Sequence, residues 1–272
     1  MSEEKERFRL SPSRITKYQS CPLAYKFHYL DKVEGKYNIN LAYGTVLHNL
    51  LEYFLKTKMD TGELLGVSDL KIYAKTFLES IQKQNSLDKD VCLKATDHMN
   101  LFIPIIHDKY LKTIPLSLEQ KVLKKVPGEE FDIYGFIDMI EKGDTSSEFN
   151  WETDTIVDYK TKKASPSKFK EEYILPKDHY LQTVIYAYCF LTDEAEYIRT
   201  RVDYLIKTQT PKIIQVTTEV SREEILETLE HIKIIYQQIK NKVFYPNFCN
   251  PYCHPVYCDY YDECKKRGKN DQ

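Results

Sequence analysis

Neither sign of charge prevails in this chain of 272 residues: 39 lysines and arginines stand against 41 aspartates and glutamates, a formal net charge of −2. A globally basic surface that would draw in nucleic acid is therefore excluded, and any such attraction must be local. Also missing is a run of about 18 apolar residues, the usual signal for a membrane-spanning helix. The opening Met1-Ser2-Glu3-Glu4-Lys5-Glu6-Arg7 lacks the apolar centre of a secretion signal, so an intracellular setting is expected. No internal repeat, low-complexity tract or motor motif is found. A chain of this length can bury a substantial core as one domain, or one domain with an elaboration.

Against that plain background, two short stretches carry chemistry. Phe131 to Ile140 is apolar on both faces, which predicts an interior strand, yet it contains Gly135-Phe136-Ile137-Asp138. A carboxylate there is costly unless paired or bound to a metal. Residues Glu141 to Glu152, with Gly143, Asp144, Ser146 and Ser147, read as a turn into a second strand ending Ile156-Val157-Asp158-Tyr159-Lys160. Side chains alternate along a strand, so Asp158 and Lys160 share one face and Tyr159 takes the other. Adjacent antiparallel strands would bring Asp138, Asp158 and Lys160 together. Two hard oxygen ligands and one ammonium can hold Mg²⁺ or Mn²⁺ against a phosphodiester, ionise a water and offset charge on the phosphate. Taken alone, Asp-x-Lys is common and reads equally as an ordinary surface strand.

The flanking sequence supplies candidates for support. Tyr43 to Met59 is an amphipathic helix with Val46, Leu47, Leu50, Leu51, Phe54 and Leu55 as its apolar stripe. His48 flanks that stripe, with Glu52 one turn later. A second helix near His179 to Leu191 sets Gln182 and Tyr186 on one side, either as interface residues or as contacts to the strand and to DNA. Glu119 lies on an expected strand, Leu116 to Val122, and is a further carboxylate that can approach the metal. Lys160, Lys162, Lys163, Lys168, Lys170 and Lys177, diluted by Glu171 and Glu172, form either a local basic patch or a solvated loop. Thr61 to His107 reads as helices interrupted by Pro104, forming a cap over a cleft. Tyr197 to Thr208 and Lys212 to Val220 read as strands, and Ser221-Arg222-Glu223-Glu224 caps a helix burying Ile225, Leu229, Ile232, Tyr236 and Ile239. The polar tail Lys265 to Gln272 is expected to fray.

Four of the seven cysteines crowd into Cys249 to Cys264, at positions 249, 253, 258 and 264. That density suits a metal centre, because thiolates bind zinc or iron–sulfur clusters. One ligand set is local, Cys249, Cys253, Cys258 and Cys264, and suits a zinc knuckle. The other replaces Cys249 with Cys21, which ends a short helix begun by Ser11 and Pro12 and is followed by Pro22. Cys92 and Cys189 lie in helical patterns as small apolar residues. Tyr252, Tyr257, Tyr260 and Tyr261 either pack around the centre or offer stacking surfaces to single-stranded bases.

Taken in order, Ser13 to Pro22, Gly44-Thr45-Val46-Leu47-His48, Gly135-Phe136-Ile137-Asp138, Asp158-Tyr159-Lys160, Gln182-Thr183-Val184-Ile185-Tyr186 and Cys253, Cys258 and Cys264 resemble the PD-(D/E)XK nuclease superfamily. The likeness is to its RecB/AddB-like branch with an iron–sulfur cluster, which includes CRISPR-associated and phage exonucleases. It departs from that pattern in having four residues between Cys253 and Cys258 and Asp158 where glutamate is commoner. The resemblance implies an α/β, restriction-endonuclease-like mixed sheet flanked by helices. It further implies one domain over 1–272, a helical insertion about 61–115, and a cysteine-bound cluster within 244–264 joining the termini. His48, Asp138, Asp158 and the Tyr159 carbonyl would hold Mg²⁺ or Mn²⁺, with Lys160, Gln182 and Tyr186 serving catalysis. Cys21, Cys253, Cys258 and Cys264 would hold a 4Fe-4S cluster, zinc being the alternative. The implied activity is a metal-dependent DNA exonuclease of recombination, repair or replication, with DNA and a helicase or recombination protein as partners and a cellular or phage-encoded origin. The rival readings are a non-catalytic nucleic-acid-binding scaffold and a zinc-binding regulatory protein.

Overall fold

The computed structural model describes residues 7–35, 37–143, 146–162 and 179–270. By its internal contacts the chain forms two compact units, Met1–Lys36 with Val122–Gly135 and Glu223–Gln272, and Tyr37–Lys121 with Phe136–Arg222.

In the first unit, β1 (Phe8–Leu10) leads to α1 (Pro12–Ser20), whose N-cap Ser11 accepts from the Arg14 N–H and whose first residue is Pro12. Cys21 then closes α1 and opens α2 (Pro22–Tyr25), which runs into one wide turn, Lys26–Leu30. Parallel to β1 lies the start of β3 (Phe131–Glu141), from Phe8↔Phe131 to Leu10↔Ile133. Arg7 fastens that edge through Asp132 at 2.6 Å and the carbonyls of Glu129 and Phe131. The later helix α7 (Arg222–Lys240) buries the expected stripe Ile225, Leu229, Ile232, Tyr236 and Ile239. α8 (Tyr261–Asn270) extends through what reads in sequence as a fraying tail. Its Glu263–Lys266 pair at 2.7 Å is the i,i+3 spacing that supports a helix.

The second unit is built around the long helix α3 (Ile39–Thr61), begun by Asn38, whose side chain accepts from the N–H groups of Asn40 and Leu41. It ends at Gly62 in the left-handed conformation, with φ of 73°. α3, α4 (Val67–Asn85) and α5 (Lys89–Tyr110) bury their apolar stripes together and against Val157, Tyr159 and Leu205 of the sheet. They are core rather than the expected cap, because Leu70, Leu78, Met99, Phe102 and Ile106 are needed to cover α3. Pro104 does not interrupt α5: Ile103, Ile106 and Tyr110 continue the buried stripe past it, and this packing outweighs the lost backbone bond.

Among the described residues, six strands make one mixed sheet, ordered β1-β3-β4-β5-β6 with β2 (Pro115–Lys125) also on β3. β3 and β4 (Thr155–Lys162) are antiparallel, β4 and β5 (Tyr197–Ile206) parallel, and β5 and β6 (Lys212–Ser221) antiparallel. The sheet face opposite α3 carries Val202, Tyr204 and Ile206, with α6 (Tyr180–Phe190) packed on β4 and β5. This is the mixed α/β sheet flanked by helices expected from the sequence. Among the described residues no helix is long and apolar enough to cross a membrane.

Candidate active site

The site begins with how β3 and β4 are joined. In the connecting turn, the buried Asp154 carboxylate accepts from the N–H groups of Gly143 (2.8 Å) and Asn150 (2.9 Å). A Cβ on Gly143 would fall 2.0 Å from the Thr153 carbonyl oxygen, so only glycine lets the two ends close. This fixes the register Glu141↔Thr155, Ile140↔Ile156 and Met139↔Val157. One residue further, Asp138 comes opposite Asp158, and the ladder opens. The Tyr159 N–H donates to Asp138 Oδ2 at 2.6 Å, a side chain taking the place of a strand carbonyl.

Around that opening the expected residues assemble within one unit. Asp158 is 1 % exposed, and its Oδ1 accepts from Gln182 Nε2 at 2.6 Å. Its Oδ2 lies 2.5 Å from the Lys160 ammonium, which pairs with it. Burial pushes the Asp158 carboxyl up to about 6, against the pull of Lys160, and burial likewise raises Asp138. α3 delivers His48, whose Nδ1 is 3.8 Å from Asp138 Oδ2 and whose ring stands edge-on to Tyr159. Burial and then Lys160 lower His48 to about 4, while a hydrogen bond to the Tyr159 backbone opposes them. The imidazole is therefore neutral near pH 7 and keeps a nitrogen lone pair.

The α6 pair sits further in than its spacing alone conveys. Gln182 points at Asp158, with its amide also 3.3 Å from the Tyr186 hydroxyl. That hydroxyl donates to the Phe136 carbonyl at 2.6 Å, and Tyr186 is only 5 % exposed. Both side chains thus hold protein atoms in place. On the other face, Tyr159 pairs with Asp203, whose carboxylate receives Tyr110, Arg201 and Gln215 at 2.7, 2.7 and 3.0 Å. Sequence reasoning gave no sign of that network, which backs β4 from below. Glu119 is the other surprise: it adopts a φ of +46° within β2, a strained conformation for a residue with a side chain. Its carboxyl is pushed up to about 7 by burial and by the neighbouring Asp138, Glu52 and Asp158. Of the basic stretch after Lys160, Lys162 lies on β4. Lys163, Lys168, Lys170 and Lys177, with Glu171 and Glu172, lie outside the described residues.

Among the described residues no three His, Cys, Asp or Glu groups are set to enclose a single metal ion. The donors nonetheless fit a hard divalent cation: two carboxylates, both raised by burial, and a neutral imidazole 3.8 Å from one of them. The raised carboxyls have a measurable consequence. A carboxyl raised by folding contributes stability present below its ordinary value near 4 and lost as pH rises through about 6. In cation-free buffer, the melting temperature of wild type relative to Asp158→Asn is expected to fall by a few degrees between pH 4 and 7. A relative melting temperature that climbs over that interval would show the Asp158 charge to be stabilised by its surroundings.

Within the other unit, Cys21, Cys253, Cys258 and Cys264 line a cavity of about 210 Å³ walled by Leu23, Phe27 and Tyr260. Burial raises the Cys258 and Cys264 thiols, and for Cys264 the neighbouring Cys21, Cys253 and Cys258 add to it. Cys249 is exposed and does not line the cavity. Tyr260 is 3 % exposed and is packing, with its hydroxyl 2.6 Å from His28 Nδ1, whereas Tyr252 and Tyr257 are two-thirds exposed. The two ends of the chain are latched beside Cys21, where the Asn250 amide donates to the Ser20 carbonyl and hydroxyl at 2.8 and 2.7 Å.

The model of one known protein family, described as the PD-(D/E)XK nuclease superfamily, matches residues 9–265. No curated protein matches the chain. A crystal structure from Eubacterium rectale, described as a "putative exonuclease", aligns with a TM-score of 0.56 and 16% identity, covering 98% of this chain and 90% of that one. At that identity the likeness is one of fold. The family match spans almost the whole length and includes both strands that meet at Asp138 and Asp158, and on that basis this chain belongs to the PD-(D/E)XK nuclease superfamily.

Proposed function

We propose that this protein hydrolyses DNA phosphodiesters with Mg²⁺ or Mn²⁺, acting as an exonuclease on ends or single strands. The observation carrying this reading is the meeting of Asp138, Asp158 and Lys160 where β3 and β4 part, with the His48 Nδ1 3.8 Å from Asp138. Asp138, Asp158, His48 and the Tyr159 carbonyl would hold the cation. When bound, it supplies Lewis-acid stabilisation of the phosphoryl oxygens and eases ionisation of water. Lys160 orients the attacking water and offsets the charge that grows on the phosphate as the bond to the leaving oxygen breaks. Gln182 fixes the Asp158 carboxylate, and Tyr186 fixes β3 through the Phe136 carbonyl. The partner this reading implies is a helicase or recombination protein.

The end-directed part of the reading draws support from the fold shared with the Eubacterium rectale protein. End-labelled single- and double-stranded DNA, with RNA as control, tests both parts. Progressive shortening that requires Mg²⁺ or Mn²⁺ is the expected result. Cleavage unaffected by chelator, or none at all, contradicts the metal-dependent nuclease, and cutting of circular single strands contradicts the exonuclease.

For the cysteine cavity the reading is a 4Fe-4S cluster held by Cys21, Cys253, Cys258 and Cys264. Its support is that these four thiols, and not Cys249, line one cavity. The raised thiols would be drawn to thiolate only by a cationic centre between them.

A further inference from the structure

We propose that the cavity formed by the start of α3, α5 and the turn after β5 is a subsite for the unpaired DNA strand, binding a nucleotide through its phosphate. This deepens the nuclease reading and rests on it for the identity of the strand. The cavity measures about 580 Å³, within the range that takes a ligand of nucleotide size. Two ammonium groups, Lys94 and Lys207, line it, and among the described residues no aspartate or glutamate does. In a chain with a net charge of −2 this is a local basic site of the kind required to attract a phosphate.

The Lys207 ammonium is held in position. It lies 4.4 Å from the centre of the Tyr43 ring and 2.9 Å from Asn40 Oδ1. Tyr43 is itself fixed, its hydroxyl 2.7 Å from His98 Nδ1, while His98 Nε2 is 2.7 Å from the Thr208 carbonyl oxygen. A carbonyl can only accept, so Nε2 carries the proton and donates to it. The apolar wall, which includes Ile39, offers a surface for a base. A depression of this size takes one nucleotide, not the width of a duplex.

One helix, α3, serves both the cavity and the reacting centre. The Lys207 backbone N–H donates to the Lys162 carbonyl at 2.7 Å, which ties the turn at the cavity to the end of β4. Tyr43 and His48 stand on the same helix, about 7.5 Å apart along its axis at the usual rise. That is roughly two phosphates at the 3.4 Å axial spacing of a B-form strand. A strand leaving the site past His48 would follow α3 to Tyr43 and Lys207, with Lys94 on the far wall.

Binding of a fluorescent single-stranded oligodeoxynucleotide, measured in EDTA across a salt series, tests this without requiring cleavage. Lys94→Gln/Lys207→Gln is expected to weaken binding about tenfold and to reduce the log K against log salt slope by about 1.4, or 0.7 per lost phosphate contact. Lys94→Gln alone, an exposed helix position where glutamine is tolerated, should remove about 0.7. The matched control Lys75→Gln/Lys83→Gln on α4 should leave the slope unchanged. An unchanged slope in the first double variant, or an equal loss with blunt duplex, overturns the subsite. A protein that binds as described but never cleaves would keep the subsite and remove the nuclease reading; one that cleaves with the slope unaltered would do the reverse.

Discussion

Replacing Lys160 with alanine is expected to lower turnover on single-stranded DNA by about 10²–10³-fold, with little change in DNA affinity. The ammonium lies 2.5 Å from Asp158 on the same strand face, where charge on the phosphate would grow. A group that acts on developing charge is felt in the transition state far more than in the bound substrate, so kcat falls and binding persists. Asp158→Ala should do the same by removing the carboxylate that Gln182 holds at 2.6 Å. Loss of Lys160 also leaves a buried carboxylate without its cation, so melting curves must accompany the kinetics to show that the variant is folded. A folded Lys160→Ala protein with near-wild-type kcat would remove the mechanism.

The second large effect is expected in the other unit. Cys21→Ser should reduce iron in anaerobically purified protein to background, abolish the brown absorption band, and lower the melting temperature by on the order of 10 °C. Cys21 stands at the junction of α1 and α2, and its partners Cys253, Cys258 and Cys264 lie near the other end of the chain. A cluster joining them would close a very long loop, and its loss would return that entropy to the unfolded chain. The asparagine latch at Ser20 holds the same ends by a few hydrogen bonds, each contributing about 1 kcal/mol, and cannot replace it. Cys249→Ser is the contrast: exposed and outside the cavity, it should leave iron and stability as they were. Iron lost in Cys249→Ser but kept in Cys21→Ser would invert the ligand set, and stoichiometric zinc without iron would replace the cluster.

Much of the fold was legible because local patterns and tertiary demands agree. The α3 stripe, the Ser11-Pro12 start of α1 and the register that sets Asp138 beside Asp158 follow from helix period, capping and strand alternation. Other features follow from packing that no local pattern encodes. Pro104 stays inside α5 because its neighbours are needed in the core, and Glu119 takes a strained φ where four carboxylates gather. α6 is apolar nearly all round, with every residue from Thr183 to Tyr188 buried. Spacing could therefore not show that Tyr186 turns inward to the Phe136 carbonyl. Spacing does not distinguish Cys21 from Cys249 beside the other three thiols, and only the fold shows that Cys21 lines their cavity and Cys249 does not.

Direct titration of Mn²⁺, followed by electron paramagnetic resonance, addresses the arrangement around β3 and β4 without depending on substrate. Wild-type protein at pH 7.5 should bind Mn²⁺ saturably, and folded Asp138→Asn, which removes the charge beside His48 and the Tyr159 N–H, should lose that binding. Equal Mn²⁺ binding by wild type and Asp138→Asn would contradict a cation held between these strands.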